Sequence, residues 1–557
     1  MYVRGAGVRC GSCAGVRLGL HKSAATAASH KYDADLLISV YRTTRLRDRQ
    51  THTAFRTGRG CVINEVMKTR WFLAVGLLWL VTAAAPAVEL RIQGEKIWLQ
   101  ARREPLIDVL RSFSRAGVCV KVDTRISTSV TADLRGDDLQ QSLDMMLQPY
   151  GYVLVWDVLQ GPLGPLPRLG EIQVFIPGEK KRVKALPMTD EQLEITTGPA
   201  GGARFVKDEV LISFRAGTRR SEVETLLAQL GGMVIGSVPE LGIYRVRFAP
   251  GTNIPALVEQ LAGNPVVGRV EPNYVAEIPP GTVLTAAAAG RLLPMTAARS
   301  GAPPMAILDS GLGADADLGD LVVGRFDAMN PERALDDPVG HGTQMALIAA
   351  GAVAPDGSET GDVARGVPLV AIRAFDDKGN ASNFSILRSI DYALSKGVRV
   401  MNLSWGSDTS SEFLQNALAY ARMKGMVIVA AAGNTPTGKA IYPAGYAGVL
   451  AVSATGEKGT LWSESNYGDF VSFAAPGTAT FPAGSKGSAG SYAGTSIASA
   501  YVSRALALYF SQNPTASVAE AIDALKAAAT DAGAAGHDPQ YGFGSIDAAA
   551  VARLLEK

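Results

Sequence analysis

The rhythm of apolar and polar positions changes several times along the chain. Between residues 303 and 557, short apolar runs alternate with longer helical stretches. Met305 to Leu308, Val398 to Leu403 and Met426 to Ala431 read as buried strands, and Asn383 to Ser395, Glu412 to Met423 and Ile497 to Phe510 read as helices. Strands with little polar face, separated by helices of this length, predict a parallel sheet covered on both sides. The expected fold class is α/β, a three-layer parallel sheet with helices on both faces, preceded by two small α+β domains.

The first of these small domains is expected at 88–178. Alternation from Val88 to Leu99 reads as a strand, Pro105 to Phe113 as a helix and Val118 to Val122 as a second strand. Helix Leu139 to Leu147 and strands Tyr152 to Trp156 and Gln173 to Ile176 complete it. Residues 179–202 are polar and carry Gly and Pro, as a linker does. The second, at 203–278, has a β-α-β-β-α-β pattern. Its strands are Glu209 to Phe214, Met233 to Ile235, Ile243 to Phe248 and Val266 to Tyr274, and its helices are Ser221 to Leu230 and Ile254 to Leu261. Residues 279–302, with Ala286 to Ala289 and other small side chains, read as an exposed linker open to proteolysis. The last domain is 303–557.

Upstream, Met67-Lys68-Thr69-Arg70, the apolar Trp71 to Val81 and Ala85-Pro86-Ala87 have the three parts of a secretory signal peptide, placed at 67–87. The apolar core, about eleven residues, is shorter than the ~20 a spanning helix needs. Residues 1–66 are basic and show no sustained periodicity. They are expected to be a disordered, over-extended start, with translation beginning at Met67. An exported protein, periplasmic or extracellular, is therefore expected.

Composition adds two exclusions. Hydrophobic residues make up 47% and charged residues 19%, which suits a globular protein with a good core and not a disordered chain. The net charge of +2 hides an imbalance: residues 1–66 hold 11 Lys/Arg against 4 Asp/Glu, whereas 88–557 hold 41 against 48. The folded part thus lacks the basic stripe of a nucleic-acid binder, and no nucleic-acid partner is expected. Of the cysteines Cys10, Cys13, Cys61 and Cys119, three precede residue 67. A single Cys-x-x-Cys does not make a zinc site. Cys119, in Gly117-Val118-Cys119-Val120, is expected to be a buried, inert thiol.

The candidate chemistry lies in four short motifs. Gly494-Thr495-Ser496-Ile497-Ala498 sets a serine among small residues at the start of a helix, where unpaired N–H groups and a partial positive charge are available. Asp309-Ser310-Gly311 follows an apolar run, at the carboxyl end of a strand, where open α/β sheets bind ligands. Gly340-His341-Gly342-Thr343 is a glycine turn opening a buried helix, and Val427 to Gly433 ends in Asn434, whose amide suits an oxyanion donor. Asp, His and Ser follow one another at spacings of 32 and 155 residues, one of the known chain orders of the Asp-His-Ser triad. The other histidine of this region, His537, is expected to be structural.

These motifs carry a resemblance. Residues 303–555 resemble the subtilisin-like serine peptidases (subtilases) at Ala306 to Gly311, Gly340 to Thr343, Asn402 to Gly406, Ala430 to Asn434, Tyr442 to Ala444, Ser465 to Gly468, Ala475 to Gly477, Gly494 to Ser496 and Tyr541 to Gly544. The resemblance implies an endopeptidase acting on polypeptides through an acyl-enzyme. Ser496 would be the nucleophile, His341 the general base, Asp309 its orienter, and Asn434 with the Ser496 N–H the oxyanion hole. It also implies that Ser404, Trp405 and Gly406 pair with an extended substrate, and that Ala432 and Gly433 line the primary pocket. Gln344, Ile497 and Ala500 depart from the family's usual His, Met and Pro. No cofactor is expected. Subtilases often carry structural calcium, but Asp315 to Asp320 lacks the spacing of a calcium loop, so no metal site is expected. Residues 203–278, ending in Val270-Glu271-Pro272-Asn273-Tyr274, resemble the family's inhibitory propeptide, which implies an autoprocessed zymogen whose own propeptide is a partner. Residues 88–178 resemble the short N-terminal module of secretins and TonB-dependent receptors, which implies a partner in the bacterial envelope.

Overall fold

The computed structural model describes residues 88–93, 95–159, 166–186, 193–285, 290, 292–314, 316–331, 333–358, 364–456, 458–482 and 489–556. The expected signal peptide, the stretch before it and Asp315 lie outside the described residues. None of the described helices is long and apolar enough to cross a membrane.

The catalytic part is built on seven parallel strands. Their order is Val322–Asp327, Leu369–Arg373, Met305–Asp309, Val400–Leu403, Val427–Ala431, Leu450–Thr455 and Val471–Pro476. Most of these side chains are buried, because helices cover both faces. His341–Ala350 and Thr495–Gln512 pack on one face, and Asn383–Ser395 and Glu412–Met423 on the other. The three-layer α/β expectation holds. Met305–Asp309 pairs with Leu369–Arg373 on one side and Val400–Leu403 on the other. The chain order therefore reverses at this strand, and its carboxyl end opens the crevice where such sheets bind ligands.

Residues 204–277 form an antiparallel sheet in the order Met233–Val238, Ile243–Arg247, Arg204–Phe214, Val267–Glu277. Helices Arg220–Leu230 and Ile254–Ala262 cover one face. The other faces the catalytic part through Leu211, Val238, Ile243 and Ala276. The sheet continues across the junction, because Val275–Glu277 pairs antiparallel with Asn380–Ser382. The expected linker 179–202 is partly ordered: Lys184–Ala185 pairs with Cys119–Val122, and Ile195–Thr197 adds to Arg204–Phe214. In the same way, Thr282–Thr285 and Met295–Thr296 of the expected linker 279–302 are strands.

Two side chains of strand Val267–Glu277 satisfy exposed helix ends of the catalytic part. Glu271 accepts from the Ser411 hydroxyl and, at 3.1 Å, from the Glu412 N–H at the start of helix Glu412–Met423. Asn273 accepts from the Phe384 N–H at 3.1 Å and donates to Glu209 at 2.8 Å. Glu209 is fully buried between Arg245 and Arg247. Burial works against its charge, yet the two guanidiniums hold it down at about 2, so it fixes which way the Asn273 amide faces. Burial pushes Glu271 up to about 7, against its hydrogen bonds. A carboxyl raised on docking takes up a proton when it docks, so the grip is strongest below the free value and is lost as pH rises through 7. With a protease site engineered into 279–302 and cut, the affinity of the two parts for each other should fall between pH 5 and pH 8, by about tenfold per unit of pKa difference. Titration calorimetry at both pH values checks this, and Glu271→Gln should flatten the dependence.

Residues 88–186 form two small sheets around one core. Val88–Gln93, Lys96–Pro105 and Ser129–Asp138 make one, and Gly151–Leu159, Leu166–Phe175, Cys119–Val122 and Lys184–Ala185 the other. The single strand expected over Val88 to Leu99 is thus a hairpin. Strand Ser129–Asp138 was not expected. Cys119 is half-buried, not buried as expected, since it alternates with the inward-facing Val120 and Val122. The core is completed by Met233 and Ile235 of the following domain. Gly236, next along that strand, lies against the Phe384 ring of the catalytic part.

Candidate active site

Asp309 is the last residue of its strand and is fully buried. Its Oδ1 accepts from the Ser310 N–H and from His341 Nδ1, each at 2.8 Å. His341 opens helix His341–Ala350, which approaches closely because Gly342 has no side chain: a Cβ there would lie 2.5 Å from the Gly311 carbonyl oxygen. Asp337 fixes the start of that helix. It accepts from Gly340 N–H at 2.8 Å and from the Thr343 N–H and hydroxyl at 2.7 Å each. Sequence reasoning missed Asp337, although an acidic residue just ahead of a helix start is a usable capping signal.

A carboxylate on Nδ1 holds the ring proton there and leaves Nε2 as an acceptor. Burial disfavours the imidazolium, but the charge and hydrogen bond of Asp309, with the charge of Asp337, outweigh it and raise His341 above the ordinary histidine range. Protonated His341 cannot accept a further proton. If His341 serves as a general base, activity should rise with pH along a single limb whose midpoint lies above 6.5, seen in kcat/KM. A midpoint well below 6.5 would contradict this arrangement.

Ser496 lies in the first turn of helix Thr495–Gln512 and is buried. Its hydroxyl donates to the Ser404 carbonyl at 3.3 Å, not to His341. Such contacts are often loose before substrate is in place. Asn434 follows strand Val427–Ala431, and its Oδ1 accepts from the Thr495 N–H at 3.0 Å and hydroxyl at 2.8 Å. These two donors turn the Nδ2 amide outward as a free donor. If that amide serves an oxyanion, replacing Asn434 with Ala should lower kcat by about 10²–10³ with a smaller change in KM, read from steady-state kinetics on one peptide substrate.

The remaining expected positions divide by which part faces the cleft. Gly406 is paired in both directions with Glu277, at 2.9 and 3.0 Å. Trp405 offers only backbone: its ring is buried against Phe375, and Nε1 donates to the Leu308 carbonyl at 3.0 Å. The Ser404 hydroxyl is likewise tied inward, to Asn402 and Ser499. Ala432 and Gly433 are buried beside Asn434. Gly433 has φ +108°, a conformation that needs glycine. Asn466 braces this loop, donating to the Ala432 carbonyl at 3.1 Å and accepting Gly438 N–H at 3.1 Å. His537 lies away from the site, bonded to the Val471 carbonyl and packed on Phe543. Among the described residues no group of three His, Cys, Asp or Glu side chains is placed to hold a metal.

The segment after Glu277 runs on past the site. Thr282 pairs with Ala493 and Val283 with Tyr492, just ahead of Ser496. One continuous chain thus contacts both sides of the crevice, at Gly406 and at Ala493, with Ile278-Pro279-Pro280-Gly281 between.

Comparison with known proteins agrees with this layout. Residues 305–544 match the model of the subtilase family, and residues 194–273 match the fervidolysin N-terminal prodomain. The solved structure of fervidolysin from Fervidobacterium pennivorans, described as a keratinolytic enzyme related to subtilisin, has a similar fold. The TM-score is 0.51 at 22% identity, covering 66% of this chain and 63% of that one. The minor extracellular protease Epr of Bacillus subtilis (strain 168) is 32% identical over 243 residues, 43% of this chain but only 37% of its own length. Subtilisin Savinase of Lederbergia lenta is 34% identical over 254 residues, 45% of this chain and 90% of Savinase. The thermophilic serine proteinase of Bacillus sp. (strain AK1) is 32% identical over 333 residues, 57% of this chain and 81% of that proteinase. That last match runs through most of a serine proteinase, and with the two domain matches it makes the chain a member of the subtilase family and a subtilisin-like serine endopeptidase.

Proposed function

We propose that the chain is an exported zymogen whose Asp309, His341 and Ser496 act as a catalytic triad. Ser496 Oγ attacks the scissile carbonyl while His341 Nε2 takes its proton. The proton then passes to the leaving amine, Asp309 keeps the imidazole in the needed tautomer, and water resolves the acyl-enzyme by the same route. Asn434 Nδ2 and the Ser496 N–H stabilise the oxyanion. The observation that carries this reading is the buried 2.8 Å contact of Asp309 with His341 beside an Asn434 amide pinned with Nδ2 outward.

Residues 203–278 are proposed to inhibit the enzyme until the linker is cut between about Pro279 and Gly301. Support comes from the shared sheet at Val275–Glu277 and the pairing of Thr282–Thr285 with the strand just ahead of Ser496. Export rests on the signal-peptide pattern at 67–87 and on the extracellular description of Epr. An envelope partner for residues 88–178 rests on pattern alone and is tested by capture of outer-membrane proteins on the inactive full chain. For the triad, a fluorophosphonate probe should label Ser496 in the processed chain. A processed chain that stays unlabelled defeats the reading.

A further inference from the structure

Next to Asn434 the site has a slot walled by two glycines. A Cβ built on Gly406 would meet Ile441 Cδ1 at 2.7 Å, and one built on Gly433 would meet the same atom at 2.9 Å. The tip of Ile441 therefore lies between the two backbones, in the space that side chains at 406 and 433 would otherwise take. Ile441 is half-buried and packed on the core of that face. Its carbonyl accepts the Gly445 N–H at 2.7 Å, which fixes the loop that carries it.

The position of the slot follows from the geometry above. An attacked carbonyl must lie between Ser496 Oγ and Asn434 Nδ2. An extended chain pairing with Gly406, as Glu277 does, brings the residue owning that carbonyl over the gap between Gly406 and Gly433. Glycine on both walls opens a slot for its side chain, and Ile441 closes that slot from within.

We propose that Ile441 sets the specificity of this enzyme for polypeptides cut after small side chains, glycine, alanine, serine or threonine, and against aromatic and long aliphatic ones. This rests on the triad reading proposed above. A side chain that overlaps a fixed methyl must displace it or stay out, and packed protein yields little. The chain's own linker offers such positions: between Gly281 and Gly290 it holds Thr282, Thr285 and Ala286 to Ala289, beside Val283 and Leu284.

The test uses the processed enzyme and chromogenic tetrapeptides that differ only in alanine or phenylalanine before the cut. Wild type should favour alanine by tenfold or more in kcat/KM. Ile441→Gly should shift the phenylalanine-to-alanine ratio upward by about 10–200-fold, the range that methylene-sized changes in a pocket command. Ile441→Ala, which disturbs the loop less, should shift it in the same direction. A digest of an unfolded protein by wild type, read by mass spectrometry, should show cuts after small residues. Equal rates on both peptides, or a ratio unmoved in both variants while Ser496 labels with fluorophosphonate, overturns the inference alone. Loss of labelling in wild type overturns the triad and this inference with it.

Discussion

Ser496→Ala is expected to leave a folded, full-length chain that neither cuts itself nor hydrolyses peptides. Loss of a nucleophile that acts as a unit with its base costs on the order of 10⁶ in turnover. What survives, roughly 10³–10⁴ over water, is what binding and the oxyanion donors supply. The substitution removes one hydroxyl, whose hydrogen bond to the Ser404 carbonyl is long at 3.3 Å, so stability should change little. The reading is direct: purify residues 88–557 in both forms and measure intact mass and N-terminal sequence. Wild type should give a fragment beginning between about 280 and 303, and the variant should not. A variant that is cut at the same bond would assign the cut to another protease.

Arg373→Met should lower stability by roughly 3–5 kcal/mol, the usual effect of removing one partner of a buried ionic cluster. Arg373 is fully buried. Its guanidinium reaches Asp336 at 2.5 Å, Asp377 at 2.6 Å and the buried Asp327 at 3.6 Å, and donates to the Phe375 carbonyl at 3.2 Å. Without it the buried Asp327 loses the Arg373 guanidinium as a neighbour, whereas Asp336 and Asp377 are partly exposed and lose less. For a domain of this size the midpoint of thermal unfolding should fall by about 10 °C. Asp327→Asn in the Arg373→Met background should recover part of it, because the buried charge that Arg373 balanced is then removed too. Activity should fall too. Arg373 pairs with Asp309 along the sheet, and Asp336, which it holds, adjoins the Asp337 cap of the His341 helix. An unchanged melting temperature would show that the cluster adds nothing net.

The parts of this molecule that were legible in its sequence are those whose burial is one-sided or complete. The central strands read clearly because both faces are covered, leaving runs such as Val427 to Ala431 without a polar residue. The Asp, His, Ser and Asn positions read clearly because each sits on a glycine-marked break between such a run and its neighbour. Strand Ser129–Asp138 did not read as one because it is an edge strand with only Val130 well buried, so its apolar alternation is too faint to see. The braces of the site were invisible for another reason. Thr495 and Asn466 act through hydrogen bonds to residues that folding alone brings near, and Ile441 lies between two glycines, Gly406 and Gly433, that are 27 positions apart; Asp337, bonded to residues three and six positions on, is the brace that leaves a local signal. Trp405 is expected in the substrate-pairing segment, and nothing in the local pattern tells that its ring turns into the core.

Strand Met233–Val238 ends its sheet, and an outermost strand is normally guarded by charge, by a bulge or by a cover. Here the cover is residues 88–186, whose interior is closed by Met233 and Ile235. Truncating the chain ahead of residue 193 would therefore not trim an appendage. It would strip the guard from an outermost strand and bare two of its apolar side chains, leaving a chain prone to self-association through that edge.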